Sequence, residues 1–309
     1  MLRIKGAYSA SVTPINSDLT INKELFLEHC KFLLAQGSDG LAVFGTTGEA
    51  NSLNLDEKID TLNYLIDNNI SSEKLIPGIG QCSVKDTVKL SKIAAKLKVK
   101  AVLVLPPFYY KNFQEEGVVD FYKRVFEDTG ENSLNYILYN IPQVSGVEIS
   151  ISIIEKLIRL YPDNIIGMKD SSGNLDNMLR IIKYVNNFSV FSGSDSLALK
   201  VCKQGGAGAI TATSNITARL LSYILNNYQD ENKIENFQIL QELQVKIRNT
   251  LFSSEPISSL KAYFSVKNKD LNWNRVLPPL TPVSNPDDDK TVIALIELVK
   301  KMEELLPNT

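Results

Sequence analysis

Along the chain, short apolar runs rich in β-favouring residues alternate with longer amphipathic stretches. The runs fall at residues 7–12, 41–44, 75–79, 101–105, 136–139, 165–168, 189–191 and 209–213. Near-continuous hydrophobicity over so few residues suits strands of a parallel sheet that is covered on both faces. Between the runs, residues 23–36 carry Leu25, Phe26, Phe32 and Leu33 at helix-face spacing. Residues 56–67 do the same with Ile59, Leu62 and Ile66, and residues 86–96 with Val88, Leu90 and Ile93. Asp56 and Asp86 stand where an acid complements the dipole of a helix start. Eight strands alternating with helices predict an α/β fold closed as a (β/α)8 TIM barrel, with a doubly wound open sheet as the architectural alternative. After Thr213 the strand pattern stops. Helical stretches at 234–248 and 291–305 follow, broken by Arg275-Val-Leu-Pro-Pro-Leu-Thr-Pro. The expected organisation is a catalytic barrel over 1–228 and a C-terminal helical extension over 229–309.

Composition narrows the chemistry more than the fold. The net charge is −2 over 309 residues, which provides no basic surface for a nucleic-acid backbone. No run reaches the roughly 18 apolar residues of a membrane helix. The start, Met1-Leu-Arg-Ile-Lys-Gly6, leads straight into a strand-like run, so no signal peptide and a cytoplasmic location are expected. Cys30, Cys82 and Cys202 are far apart and odd in number, against a disulfide framework or a CxxC metal site. His29 is the only histidine and sits within a helical pattern, as a structural residue does. With one histidine, histidine-based zinc, iron or Ser-His-Asp chemistry is nearly excluded, and neither a metal nor a cofactor is expected.

In barrels the active site gathers at the C-terminal ends of the strands, and three motifs stand there. Gly45-Thr46-Thr47-Gly48-Glu49 follows the second run; its glycines allow close backbone approach, and its two hydroxyls and free amides suit a carboxylate. It is no P-loop, since no Gly-Lys-Ser/Thr follows. Tyr139-Asn140-Ile141-Pro142 ends the fifth run, where a phenol can either pack in the core or relay a proton. Ile165-Ile166-Gly167-Met168-Lys169 ends the sixth. A lysine closing an apolar strand either snorkels to the rim or serves as a desolvated amine that attacks a ketone. Side-chain alternation puts Gly167 on the face of Lys169 and predicts space beneath the amine. Gly205-Gly206-Ala207-Gly208 precedes a strand and reads as a tight helix-to-strand turn, not a dinucleotide fingerprint.

Together, in this order, the three motifs resemble the dihydrodipicolinate synthase / N-acetylneuraminate lyase family of class I pyruvate-dependent aldolases. The resemblance runs from Gly6 and Thr13-Pro14 to Pro278-Pro279-Leu280. It implies a (β/α)8 barrel with a helical extension, usually a homotetramer built as a dimer of dimers. It also implies pyruvate, with a small aldehyde or 2-oxo acid as second substrate, bound as an imine. By position, Lys169 is the Schiff-base lysine, Tyr139 the proton-transfer tyrosine and Thr47 a ligand of the pyruvate carboxylate. Thr46 would link Tyr139 to a tyrosine from a neighbouring subunit, Tyr109 or else Tyr110. Ile210 would add a backbone contact near the imine, and Asp195 a substrate contact. Synthases of the family usually carry an arginine two residues after the proline of the tyrosine motif, and here that position is Val144. The Tyr-Asn-Ile-Pro stretch looks like the neuraminate lyases, but Ser196 stands where those have a glutamate. Ser192-Gly193-Ser194-Asp195 and Met168-Lys169-Asp170-Ser171 look like aldolases for 2-keto-3-deoxy sugar acids or 4-hydroxy-2-oxoglutarate. Leu55 and Lys58 replace histidines that line the lysine-inhibition pocket of some synthases. The expected function is an aldolase or lyase acting on such a 2-oxo acid. The alternative is 4-hydroxy-tetrahydrodipicolinate synthase, condensing pyruvate with aspartate semialdehyde. A catalytically silent paralogue would have lost Lys169 or Tyr139, and both are present.

Overall fold

Seven of the eight apolar runs become strands in the computed structural model, which describes residues 4–130 and 134–307. Residues 1–3, on which part of the reading of the N-terminus rests, lie outside the described residues, as do 308–309. The strands are β1 (Gly6–Ser9), β2 (Gly40–Leu41), β3 (Val102–Val104), β4 (Tyr136–Asn140), β5 (Ile165–Asp170), β6 (Ser189–Ser192) and β7 (Gly208–Thr211). They pair in the order β2-β1-β7-β6-β5-β4-β3, every neighbour parallel.

The run at 75–79 departs from expectation. It makes isolated parallel bridges, Leu75 to Leu41 and Gly78 to Leu103, rather than a continuous strand. Its amides still reach both sides: Ile76 donates to the Leu41 carbonyl and Gly78 to that of Val43, each at 2.8 Å. Ile79 donates to Leu103 at 2.9 Å. The segment thus spans the gap between the two end strands of the sheet. Two features prevent a regular ladder. Pro77 has no N–H to give, and Phe44 turns the facing chain into the left-handed region at φ 56°. That turn also limits β2 to two residues where four were expected.

The interior explains the curl of the sheet. Tyr8, Ala42, Ile76, Leu103, Ile137, Ile166, Phe191 and Ile210, one side chain from each of the eight runs, form a buried cluster of their own with a few neighbours. The curled sheet and the 75–79 segment turn these side chains toward one another, and they fill the space between. Burial of each large member contributes roughly 1.5–3 kcal/mol.

Outside the strands lie α1 (Lys23–Ala35), α2 (Leu55–Asp67), α3 (Val84–Lys96), α4 (Glu115–Thr129), the single turn α5 (Pro142–Ser145), α6 (Ile151–Leu160), α7 (Leu175–Tyr184), α8 (Asp195–Lys203) and α9 (Ser214–Asn227). Side chains of Asn22, Asn54, Ser83, Ser150 and Asn174 accept first-turn amide hydrogens at five of these starts. The Ser83 cap starts α3 two residues before the acid that marks it in sequence. The glycine-rich stretch at 205–208 is the turn from α8 to β7, with Gly205 at φ 89° and Gly208 at φ 137°.

Three further helices follow: α10 (Phe237–Leu251), α11 (Pro256–Asn268) and α12 (Lys290–Leu305). They bury Leu243, Ile247, Phe264, Leu295 and Val299 against Leu220 and Ile224 of α9 in one continuous core that includes Ala7 and Ala209 of the sheet. Among the described residues no helix is long and apolar enough to cross a membrane.

Candidate active site

The register between β4 and β5 sets Tyr139 beside Lys169 and Asn140 beside Asp170. Residues in register on neighbouring parallel strands project from the same face. Lys169 is only 4% exposed, and its Nζ lies 4.3 Å from the Tyr139 ring centroid, within cation–π reach. The Tyr139 hydroxyl shares a hydrogen bond of 3.1 Å with Thr46 Oγ1. An amine, a phenol and an alcohol from three separate strand ends are thereby joined in one line.

The turn that carries Thr46 is tightly made. Gly48 donates to the Gly45 carbonyl at 3.0 Å and Glu49 to that of Thr46 at 3.1 Å. Thr13 Oγ1 donates to the Gly48 carbonyl at 2.9 Å. A Cβ on Gly48 would stand 3.0 Å from the Ser11 carbonyl oxygen, so a side chain there would crowd the neighbouring backbone. Thr47, beside Thr46, is buried.

Gly167 does not leave space beneath the lysine as expected. A Cβ there would run into the carbonyl of Ser189, because β6 packs its backbone against that position. Ile210 lies on β7 in register with Tyr8, and its side chain belongs to the interior cluster.

The remaining sequence-derived residues are not gathered into this line. Tyr109 and Tyr110 are 74% and 79% exposed, and their rings meet edge-on at 5.2 Å. Val144 is exposed on α5. Lys111 spans two loops here, donating to the carbonyls of Phe108 and Ser145. Asp195 is buried at the start of α8, and its Oδ1 accepts hydrogen bonds from Thr211 at 2.9 Å and Gln244 at 2.7 Å. Burial pushes its carboxyl above the ordinary range, against the pull of the Thr211 and Thr213 hydroxyls and Arg248. As placed, this oxygen is committed within the protein. Ser145 is likewise occupied: its hydroxyl lies between the carbonyls of Ile141 and Val147, to either of which it can donate, and accepts the Val147 amide.

Two buried lysines carry more than their sequence positions indicate. Lys58 donates to the Ala50 carbonyl at 2.9 Å, and burial pushes its amine down to about 8. Lys261, on α11, forms a fully buried ion pair with Glu49. No motif marks it. The available signal is a lysine set in Ile257-Ser-Ser-Leu-Lys-Ala-Tyr-Phe, a stretch otherwise made of apolar and small residues. Among the described residues, no group of three or more His, Cys, Asp or Glu is arranged to hold a metal.

The profile of the "Dihydrodipicolinate synthetase family" matches residues 3–298. A 4-hydroxy-tetrahydrodipicolinate synthase of Listeria monocytogenes is 36% identical over 248 residues, covering 79% of this chain and 82% of the relative. A protein named as an uncharacterized DapA-like lyase, from Chloroflexus aurantiacus, is 31% identical over 93% of this chain and 94% of its own. Among solved structures, a variant of the 2-keto-3-deoxygluconate aldolase of Sulfolobus solfataricus superposes with a TM-score of 0.82 at 26% identity, covering 97% of this chain and 96% of the other. With a profile match over almost its whole length and a relative matched nearly end to end, the chain belongs to the dihydrodipicolinate synthetase family.

Proposed function

We propose that this chain is a Schiff-base, pyruvate-dependent aldolase or lyase that makes or breaks a C–C bond on an imine at Lys169. The observation that carries the reading is the line from the Lys169 amine, against the Tyr139 ring, to the Tyr139 hydroxyl and Thr46. The neutral amine adds to C2 of pyruvate; a proton from solvent, passed through Tyr139 to the carbinol oxygen, lets that oxygen leave as water and gives a protonated imine. That cation accepts the electron pair released when the adjacent C–C bond breaks, or when C3 loses a proton before attacking an aldehyde. Tyr139 moves the protons, with Thr46 orienting its hydroxyl. Thr47 and the neighbouring amides hold the pyruvate carboxylate, and the Ile210 backbone lies near the imine. None of these steps calls on a metal or an organic cofactor. In the same reading residues 1–228 form a (β/α)8 barrel whose remaining strand position is taken by 75–79, and residues 229–309 form a helical extension. The enzyme works in the cytoplasm as a homotetramer, a dimer of dimers in which Tyr109 serves a neighbouring subunit's site.

Val144 guides the choice of second substrate. An isopropyl group at an exposed rim position provides no bidentate clamp for an aldehyde's distal carboxylate. This favours a 2-keto-3-deoxy sugar acid or 4-hydroxy-2-oxo acid, cleaved to pyruvate and an aldehyde. A second reading is 4-hydroxy-tetrahydrodipicolinate synthase. Lys111 favours it, because its ammonium lies beside Ser145, one residue from Val144, and can offer a cation there. Asp195 in either case serves to hold Thr211.

Incubation with pyruvate and borohydride, followed by intact mass and peptide mapping, tests the covalent step. A reduced pyruvate adduct on Lys169 is expected. An adduct elsewhere, or one that persists in Lys169→Ala, rejects the mechanism. Measuring kcat/KM for both substrate classes in one preparation then separates the two readings.

A further inference from the structure

Glu49 ends the threonine turn, yet its carboxylate is directed away from the reacting groups and into the C-terminal helices. One oxygen pairs with the Lys261 ammonium, and both side chains are essentially without solvent contact at 1% and 0% exposure. The other oxygen accepts the Leu277 amide at 2.6 Å. Lys261 also donates to the Arg275 carbonyl at 2.8 Å. Ser52 Oγ, just past the turn, donates to the Pro278 carbonyl at 3.2 Å. The proline-rich breaker at 275–279, which the proposed reaction leaves without a task, therefore meets the turn and its continuation at two points, Leu277 and Pro278, and meets Lys261 of α11 at Arg275.

A buried ion pair is a weak source of stability. Both ions lose their hydration, and well-packed apolar residues of similar volume are often as stable or more so. What the pair does supply is geometry, because a charged and fully hydrogen-bonded contact tolerates little displacement. The link to the site is short: the Glu49 amide donates to the Thr46 carbonyl at 3.1 Å. Glu49 itself is held at φ 56°, a conformation a side-chain-bearing residue adopts only when its surroundings impose it.

We infer that Glu49 and Lys261 are positioning residues for the reaction, through which α11 and the 275–278 segment set the placement of Thr46 and Thr47. The inference rests on the proposed reading of those threonines. Displacing the turn loosens both the carboxylate contact at Thr47 and the hydroxyl that orients Tyr139. Lys169, carried on β5, is untouched. The expected signature is therefore weaker pyruvate binding and slower proton transfer, with imine formation retained once pyruvate is saturating.

The test compares Lys261→Met, Glu49→Gln and the double variant E49Q/K261M with the parent enzyme. Lys261→Met alone strands a buried carboxylate and is expected to unfold at a lower temperature. The double variant carries no stranded charge and recovers thermal stability, while its KM for pyruvate stays raised about tenfold or more and its kcat reduced. Because KM does not depend on the fraction of active protein, it can be read from any variant that leaves a measurable folded population. Recovery of both thermal stability and KM in the double variant would show a purely structural pair and overturn the inference. Borohydride trapping at saturating pyruvate keeps the two questions apart. A trapped Lys169 adduct with raised KM supports the positioning role. Absence of an adduct in the parent enzyme as well counts against the Schiff-base reading instead.

Discussion

The strand ends of β4 and β5 and the loop at 108–113 present opposite kinds of site. In the first, Tyr139 and Lys169 are buried, held in register by a ladder, and already in contact with each other. In the second, Tyr109 and Tyr110 are exposed, and Lys111 is satisfied by two carbonyls of its own chain. Backbone hydrogen bonds of the β4–β5 ladder set the interior groups side by side without help from a substrate. Rim groups depend on whatever docks against them, whether a second subunit or the distal part of a substrate. The interior is therefore expected to govern whether the chemistry occurs, and the rim to govern on what it occurs.

Removing interior groups should cost most. Lys169→Ala deletes the nucleophile, so a loss on the order of 10⁴-fold or more in kcat is expected, together with loss of the trapped adduct. Retained activity in that variant would end the contrast drawn between the two regions. Tyr139→Phe keeps the ring against the amine and removes only the hydroxyl. Its expected loss is about 10²–10⁴-fold in kcat, with imine trapping preserved.

The rim should respond more gently. Tyr109→Phe is expected to reduce kcat about 10²-fold if the residue completes a neighbouring site. Mixing Tyr109→Phe subunits with Lys169→Ala subunits should then restore some activity, because certain mixed sites recover both groups. A fully active, well-folded monomer would remove Tyr109 from the site. Val144→Arg should shift selectivity without impairing imine formation. Adding a charge-assisted contact is expected to raise kcat/KM for aspartate semialdehyde roughly tenfold relative to a neutral polyol aldehyde. If the parent enzyme already prefers the anionic aldehyde, the synthase reading takes first place and Lys111 is the cation to replace next.

A buried group outside both regions should leave activity at neutral pH unchanged and affect only stability. His29 is packed edge-on against Phe264 and Trp273 and bonded to Asn215 at 2.8 Å. Burial pushes its imidazole from 6.5 down to about 4, with the Asn215 bond opposing. Between these values the unfolded chain binds more protons than the folded one. Its contribution is therefore complete above about 6.5 and is lost as pH falls toward 4, on the order of 3 kcal/mol. Urea midpoints at pH 7 and pH 4.5 should draw closer together in His29→Gln. An unchanged difference would assign the acid sensitivity to carboxylates.

Much of the candidate site, the line from Lys169 through Tyr139 to Thr46, was legible because its parts are local. Lys169, Tyr139 and Thr46-Thr47 each stand at the end of an apolar run, so strand periodicity alone places them on one face of the fold. Other features could not be read this way. Pro77 and the left-handed Phe44 break the ladder at 75–79, although the run is as apolar as its neighbours. Gly167 invites a reading as free space, but Ser189 of the next strand fills the direction its side chain would take. Asp195 reads as a polar group at a strand end, whereas Thr211 and Gln244 occupy one of its oxygens from two different elements.

The sequence by itself determined the alternation of strands and helices, the three motifs and the residue types available for chemistry. Those follow from periodicity, turn residues and composition, which act over a few neighbouring positions. Only the tertiary structure decided which groups meet. The 3.1 Å contact of Thr46 with Tyr139 joins residues 93 positions apart, and the Glu49–Lys261 pair joins residues 212 apart. Such contacts arise when curvature of the sheet and packing of the last helices bring distant segments together, and no local pattern encodes the distance between them.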